Sequence, residues 1–195
     1  MFTGIVQAIG EVRKIDFSED FGVLEIAVGN VVVGLSVGDS VSVNGVCLTA
    51  SNITDESVTF EVMGITLSKT NLGTLKRGSK VNLELPLTLQ DFVGGHLVQG
   101  HVDEVGTILE IEQLDNWKRM RISTTAQIQK FVVARGSIAV DGVSLTVSDV
   151  DAAWLEVSLI PTTLEHTILG TKVVGDKVNL ESDIIARHVE KLVKP

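Results

Sequence analysis

Apolar residues alternate with polar ones in short stretches along most of the chain. Residues 5–12, 23–28, 40–44, 57–62 and 80–85 are rich in β-branched side chains and bounded by Gly, Asn or Asp, the pattern of half-buried strands. The rhythm then starts again. Asn44-Gly45-Val46-Cys47-Leu48-Thr49 falls on Asp141-Gly142-Val143-Ser144-Leu145-Thr146 at an offset of 141 − 44 = 97. At the same offset Thr66-Leu67 falls on Thr163-Leu164, Gly73 on Gly170, Gly78 on Gly175, and Val81-Asn82-Leu83-Glu84 on Val178-Asn179-Leu180-Glu181. Gly4, Val6 and Gly10 match Gly100, Val102 and Gly106 one residue closer, at 96. A period this long marks two whole domains, because solenoid repeats recur at about 20–50 residues.

Each copy is short-stranded and turn-rich, so the economical architecture is a small antiparallel barrel, which removes its sheet edges by closing. The Asn44-Gly45 and Asp141-Gly142 pairs lie between strand-like runs, where a two-residue hairpin turn requires positive φ at both central residues. After Glu181 the period changes. Ser182 or Asp183 can cap a helix in which Ile185, Val189 and Leu192 share a face, with Ile184 and His188 beside it. So short a helix needs a docking surface, and another chain can supply one. The expected units are therefore a barrel at 1–96, a second at 97–182, and an oligomerisation helix at 183–195.

Composition narrows the function. Apolar residues make up 44% and charged residues 21% of the 195, which is globular usage and not that of a disordered chain. A net charge of −9 with no basic run argues against nucleic acid, whose binders concentrate Lys and Arg on one face. The first residues lack the cationic and apolar regions of a secretory signal, and no apolar stretch is long enough to span a bilayer. The single cysteine, Cys47, excludes an internal disulfide and fits a reducing cytoplasm.

Four segments carry a family resemblance: Met1-Phe2-Thr3-Gly4-Ile5-Val6-Gln7, the two copies of the Asn/Asp-Gly-Val motif, and Gly94-Gly95-His96-Leu97-Val98-Gln99-Gly100-His101-Val102. In order and spacing the chain resembles the riboflavin synthases over essentially its whole length. The resemblance implies two tandem six-stranded antiparallel Greek-key barrels followed by a short C-terminal α-helix. It also implies a homotrimer joined through those helices, no cofactor, and a lumazine synthase shell as a candidate partner. The implied reaction is the transfer of a four-carbon unit between two molecules of 6,7-dimethyl-8-ribityllumazine, giving riboflavin and 5-amino-6-(ribitylamino)uracil. Such chemistry needs donors around an electron-poor ring, a modest base, and above all two rings held in register, which supplies about 7–11 kcal/mol of a barrier.

By the same resemblance the first pocket uses Gly4, Ile5 and Val6, then Cys47, Leu48 and Thr49, then Glu61, Val62, Met63, Gly64, Ile65 and Thr66. The second uses Gly100, His101 and Val102, then Ser144, Leu145 and Thr146, then Ile160, Pro161, Thr162, Thr163, Leu164 and Glu165. Phe2 and Arg135 join the substrate contacts. Many relatives carry Glu where this chain has Ile65 and Thr162, and Lys where it has Arg135, a change of geometry though not of charge.

Positions where the copies differ are the catalytic candidates, because there the two substrates can be treated differently. Cys47 is matched by Ser144, Asn44 by Asp141, and Ile5 by His101. His101 can titrate near neutral pH and move a proton. Cys47 and Ser144 can add to a ring carbon or hydrogen-bond to it. Each also has a plain structural reading: a surface histidine, a small buried thiol, a turn carboxylate. Zinc on His96, His101 and Cys47 is disfavoured because the spacing matches no zinc pattern. His166 in a turn of the second copy and His188 in the closing helix suit a surface or interface, and Trp117 and Trp154 a structural role. No Gly-rich phosphate loop precedes a helix, which leaves dinucleotide binding without support. The competing functions are a non-catalytic lumazine or flavin carrier of the same fold, and the flavin barrel of a reductase, for whose nicotinamide domain no residues remain.

Overall fold

The structure, a computed structural model, describes residues 1–29 and 34–193. In the first half β1 (Ala8–Phe17), β2 (Phe21–Ala27), β3 (Ser40–Val43), β4 (Val46–Ile53), β5 (Ser57–Met63) and β6 (Lys80–Glu84) close into a barrel in the order β1-β2-β5-β4-β3-β6, all neighbours antiparallel. In the second half β7 (Glu104–Gln113), β8 (Lys118–Ser123), β9 (Ser137–Val140), β10 (Val143–Asp151), β11 (Trp154–Leu159) and β12 (Lys177–Ser182) repeat the same order. The expected pair of six-stranded barrels is present. Short helices α1 (Gly64–Lys69), α2 (Ala126–Gln129) and α3 (Pro161–His166) interrupt the strands, and α4 (Ile184–Val193) follows the second barrel.

Alternation explains the barrels. Along β4, Val46, Leu48 and Ala50 point inward while Thr49 faces out, and along β2 Leu24 and Ile26 are inward. Each barrel fills with its own apolar core, centred on Leu24, Ile26, Phe60 and Leu83 in one and on Ile108, Met120, Ile122 and Leu155 in the other. Burying each such side chain contributes about 1.5–3 kcal/mol. Bulges bend the strands at repeated places: β1 and β7 shift register after Val12 and Ile108, and β4 and β10 after Ala50 and Val147. Both expected hairpin turns form, with φ of 47° and 76° at Asn44 and Gly45 and 45° and 78° at Asp141 and Gly142.

Some boundaries differ from the pattern reading. The strand expected over 5–12 begins at Ala8, because the residues before it run to the other barrel. The strand expected over 40–44 stops at Val43, and β4 beyond the turn is a strand of its own. His166 ends helix α3 instead of lying in a turn, its Nδ1 2.9 Å from the Thr162 carbonyl. The closing helix forms as expected, with the Asp183 carboxylate accepting from the Ile185 amide at 2.9 Å. Ile185, Val189 and Leu192 on α4 are exposed. Residues 194 and 195 of the expected helical unit lie outside the described residues. Among the described residues no helix is long and apolar enough to cross a membrane.

The barrels meet in a reciprocal contact. A Cβ on Gly45 would lie 2.7 Å from the Gly142 nitrogen, and one on Gly142 would lie 2.7 Å from the Gly45 nitrogen. Asn82 Nδ2 donates to the Asp141 carbonyl at 2.9 Å and Asn179 Nδ2 to the Asn44 carbonyl at 2.8 Å. Within each barrel the turn side chain caps the last strand, Asn44 Oδ1 accepting from Asn82 N and Asp141 Oδ1 from Asn179 N, both at 2.8 Å. Residue i touching j while j's equivalent touches i's is the mark of a twofold. The repeat in sequence is therefore an approximate twofold axis in space.

Candidate functional site at the crossed arms

Two arms build the site. The segments before β1 and before β7 pair antiparallel on the axis, where Phe2 N donates to Val98 O at 2.7 Å and Val98 N to Phe2 O at 3.1 Å. Each arm then docks on the barrel it does not lead into. Ser144 N donates to Gly4 O at 2.8 Å, and Cys47 N donates to Gly100 O at 3.0 Å. A Cβ on either glycine would lie 2.6 Å from the Cβ of Ser144 or Cys47, and φ is +76° and +81°, so only glycine fits. Val6 packs on the second core and Val102 on the first.

This corrects the expected grouping. Gly4, Ile5 and Val6 do not accompany Cys47; they lie with Ser144. Gly100, His101 and Val102 lie with Cys47. The repeat shows that the two arms are equivalent but not which barrel each one touches.

A cleft of ≈ 250 Å³ follows from the first crossing, lined by Val46, Cys47, Ile65, Thr66, Lys69, Thr70, Gly100, His101 and Val102. It keeps Cys47, Ile65 and Thr66 together and adds His101, which was expected beside Ser144. Lys69 and Thr70, at the end of α1, escaped the sequence reading. The repeat itself could have found them, since the offset of 97 carries Lys69 to His166 and Thr70 to Thr167 at the end of α3. The counterpart place in the second copy thus has Ser144 for Cys47, Thr162 for Ile65, His166 for Lys69 and Ile5 for His101.

The other expected contacts are dispersed. Leu48, Val62 and Leu145 are buried in the barrel cores, as alternation requires. Gly64 is buried where a Cβ would lie 1.9 Å from the Glu19 carbonyl oxygen. Glu61, Met63, Ile160, Pro161 and Glu165 are exposed, Thr163 and Leu164 half-buried, and Thr49 and Thr146 sit on the outer faces of β4 and β10. Phe2 is fully buried with Val98 and Ala139 on the axis, with Cys47 against them. Arg135 is exposed with φ +68°, at the place where the first copy has Gly38 at +98°. Both close the same turn, Gly38 N donating to Ala50 O and Arg135 N to Val147 O.

Ser144 has a partner the sequence reading did not assign. His96 Nδ1 lies 2.7 Å from Ser144 Oγ, and its Nε2 is buried with no hydrogen-bond partner among the described residues. Gly95 permits the approach, since a Cβ there would lie 2.1 Å from the Thr3 carbonyl and 2.7 Å from Ser144 Cβ. Burial lowers the His96 pKa below the ordinary histidine value, opposed by the charge of Asp183. A neutral imidazole against a hydroxyl can take a proton through it.

Asp141 stands elsewhere. Its carboxylate is wholly buried in the contact between barrels, accepting from Asn71 Nδ2 at 2.7 Å and Asn179 N at 2.8 Å, with Lys172 Nζ at 3.2 Å. Burial raises its pKa, against the pull of Lys172. A larger cavity of ≈ 460 Å³ lies on that side, lined by Asn44, Asn71, Lys172 and Lys177 among others, and none of Cys47, His101 or Ser144 reaches it. Asp141, expected among the catalytic residues, is thus placed as a turn side chain that caps β12, apart from the residues that line the cleft at Cys47.

The cleft at Cys47 offers an apolar wall of Val46, Ile65 and Val102, a thiol, and the imidazole of His101 and the ammonium of Lys69. Such a surface suits a flat, electron-poor ring with polar edges. Comparison with known proteins agrees. A family model described as the lumazine binding domain matches residues 3–86 and again 99–183. The riboflavin synthase of Mycobacterium tuberculosis (strain ATCC 25618 / H37Rv) is 47% identical over 198 residues, covering 100% of this chain and 98% of that protein. That of Bacillus subtilis (strain 168) is 37% identical over 193 residues, 99% of this chain and 90% of the other. Among solved structures, LumP complexed with riboflavin matches with a TM-score of 0.87 and 25% identity, over 93% of this chain and 99% of that one. LumP complexed with 6,7-dimethyl-8-(1'-D-ribityl) lumazine matches with a TM-score of 0.84 and 26% identity over the same shares.

Proposed function

The chain belongs to the lumazine-binding family that includes the riboflavin synthases, and from that premise we propose how its two clefts divide the work of one reaction. The enzyme is a transferase that converts two 6,7-dimethyl-8-ribityllumazine molecules into riboflavin and 5-amino-6-(ribitylamino)uracil. Each crossing of an arm with a barrel holds one lumazine. The observation that carries this reading is the cleft at Cys47 together with the twofold that repeats its arm crossing at Ser144, with different chemistry at Cys47/Ser144 and His101/Ile5.

A methyl group on the electron-poor ring loses a proton because the anion is delocalised over that ring. His96, kept neutral by burial, takes that proton through the Ser144 hydroxyl in the second cleft. His101 moves protons in the first, and Cys47 adds to the ring carbon of the other substrate or hydrogen-bonds to it. Thr66 and Thr163, Ile65 and Thr162, Val102 and Val6 frame the rings, and Arg135 reaches the ribityl chain. Asp141 has no part in the chemistry.

The space between the barrels is filled by the arms and by buried Asn44, Asn82, Asp141 and Asn179. Two stacked rings therefore meet where the first cleft of one chain faces the second cleft of another. The assembly is a cytoplasmic homotrimer joined by α4, with a lumazine synthase shell as its outer partner. The working units are 1–96, 97–182 and 183–195, each arm reaching across the first boundary.

The carrier reading has one observation in its favour, the likeness to LumP. The chain is nonetheless more identical to the riboflavin synthases, and it keeps Cys47, His96, His101 and Ser144. Mixing the protein with the ribityl-lumazine and following absorbance tests the choice. Riboflavin should appear; bound lumazine that persists unchanged would establish a carrier.

A further inference from the structure

Buried carboxylates hold both arms. Glu84 accepts from Thr3 N at 2.7 Å, Thr3 Oγ1 at 2.8 Å and Gly4 N at 3.1 Å. Its equivalent, Glu181, accepts from Gln99 N at 2.7 Å, Gly100 N at 2.9 Å and His101 N at 2.8 Å. The second arm alone has another hold. Arg187, on α4 and outside the repeat, donates from Nη2 to the His101 carbonyl at 3.2 Å and to Asp103 Oδ2 at 2.7 Å. Its Nε donates to Ser182 Oγ at 3.0 Å, and Asp103 Oδ2 also accepts from Ser182 N and Oγ, both at 2.8 Å.

The first copy lacks this hold. Gln7 stands at the register of Asp103, and its Oε1 accepts the Leu85 amide at 2.8 Å, as Asp103 does for Ser182. The register of Arg187 falls on Gln90 (187 − 97), an exposed residue of the segment between the barrels. The guanidinium therefore belongs to the arm that carries His101, and only to it.

We propose that Arg187 is a positioning residue: with Glu181 it grips His101 at both its carbonyl and its amide, so that α4 braces the arm that lines the first cleft. Glu181 fixes the amides on one side of the arm, and Arg187 fixes the carbonyl that follows. With the peptide on each side of its Cα held, His101 resists backbone rotation and its side chain keeps its place beside Cys47 in the cleft. The proposal rests on the reading of that cleft as a lumazine site.

The test uses the full chain with Arg187→Met, Asp103→Asn, the double variant and Arg187→Lys. Amide hydrogen exchange over residues 99–103 needs no ligand and reads the grip directly. It should quicken at least about tenfold in Arg187→Met, with the exposed apolar face of α4 untouched and the sedimentation of the wild type retained. Turnover of ribityl-lumazine should fall about tenfold or more while KM moves less than about threefold, because displacement of a reacting group costs rate before binding. Arg187→Lys, which can reach one of the two acceptors, should recover part of both. The double variant should fall short of the sum of the two single effects, since both substitutions remove the Arg187–Asp103 bond. Unchanged exchange over 99–103, or full additivity of the two substitutions, would overturn the proposal whatever the ligand. Quickened exchange with wild-type kcat would show a structural hold without influence on the site, and would equally overturn it. A wild-type chain that binds no lumazine would instead remove the reading of the cleft, a result separable from the exchange data.

Discussion

His96, the proposed base, shows how burial shifts the range over which an ordinary side chain titrates. Its folded pKa lies below the ordinary 6.5 because burial penalises the imidazolium. Above 6.5 the ring is neutral both folded and unfolded, and its contribution to stability is complete. As pH falls below 6.5 the unfolded chain takes up a proton first, so stability declines until the pH passes the lowered folded value. Turnover should follow the same group: an acid limb below pH 6.5, where the base is lost. His96→Gln should cost about 10²-fold or more in kcat and remove that limb together with its share of the acid destabilisation. Retention of both in His96→Gln would show that another group sets the profile. Arg135 makes the opposite case, a residue held against its backbone preference. The left-handed conformation costs a side-chain-bearing residue about 1–2 kcal/mol, and the first copy has glycine there. Arg135→Gly should therefore raise stability by about 0.5–1 kcal/mol after glycine's larger loss of chain freedom. The same variant should bind ribityl-lumazine several-fold more weakly. Thermal unfolding and a fluorescence titration on one sample check both, and unchanged affinity would dissociate Arg135 from the ribityl chain.

At the scale of elements, the strands and turns were legible because each has a local cause. Period-two alternation marks β2, β3, β5 and β6, and the Asn-Gly and Asp-Gly pairs fixed both hairpins before any geometry was known. The helices α1 and α3 were not, because Gly64-Ile65-Thr66-Leu67-Ser68-Lys69 carries neither a capping side chain nor a helical apolar stripe; it is held by tertiary contacts, Gly64 against Glu19 and Leu67 in the core. Without them Lys69 has no place at the cleft, and His166 reads as a turn residue. The His96–Ser144 contact was hidden for a related reason: no periodicity reports which barrel an arm will touch. Turn geometry also separates two effects at glycine. Gly45 and Gly78 share positive φ, but a Cβ on Gly45 meets the Gly142 backbone at 2.7 Å whereas one on Gly78 meets nothing. Gly78→Ala should cost about 1–2 kcal/mol, the conformational penalty alone. Gly45→Ala should cost about 1–3 kcal/mol more, because the two hairpins must separate. Equal costs, measured by denaturant unfolding, would mean that the hairpin contact yields freely.

For the whole molecule, the duplication was legible and its spatial meaning was not. The sequence offset told of two equivalent barrels; the crossed arms and the Gly45–Gly142 contact turn that equivalence into a twofold whose centre is already full. Each arm crossing is nevertheless built within one chain: Cys47 with Gly100 and His101, Ser144 with Gly4 and His96. In the proposed assembly, clefts of different chains face each other, and the exposed Ile185, Val189 and Leu192 of α4 are the apolar surface available to hold them so. This arrangement can be tested by complementation. His101→Ala damages only first clefts and Ser144→Ala only second clefts, so each variant alone should turn over slowly while still assembling. In a mixed assembly, a first cleft from the Ser144→Ala chain can face a second cleft from the His101→Ala chain, and that centre is intact. Unfolding the two variants together and refolding them at equal concentration should restore activity toward about a quarter of wild type, the fraction of heterologous contacts that join two undamaged clefts. Adding Ile185→Glu and Leu192→Glu to both chains should abolish the restored activity, with each folded chain still binding lumazine. Mixed chains no more active than the separate variants would place both rings within one chain, since no pairing of partners could then reunite the two good clefts.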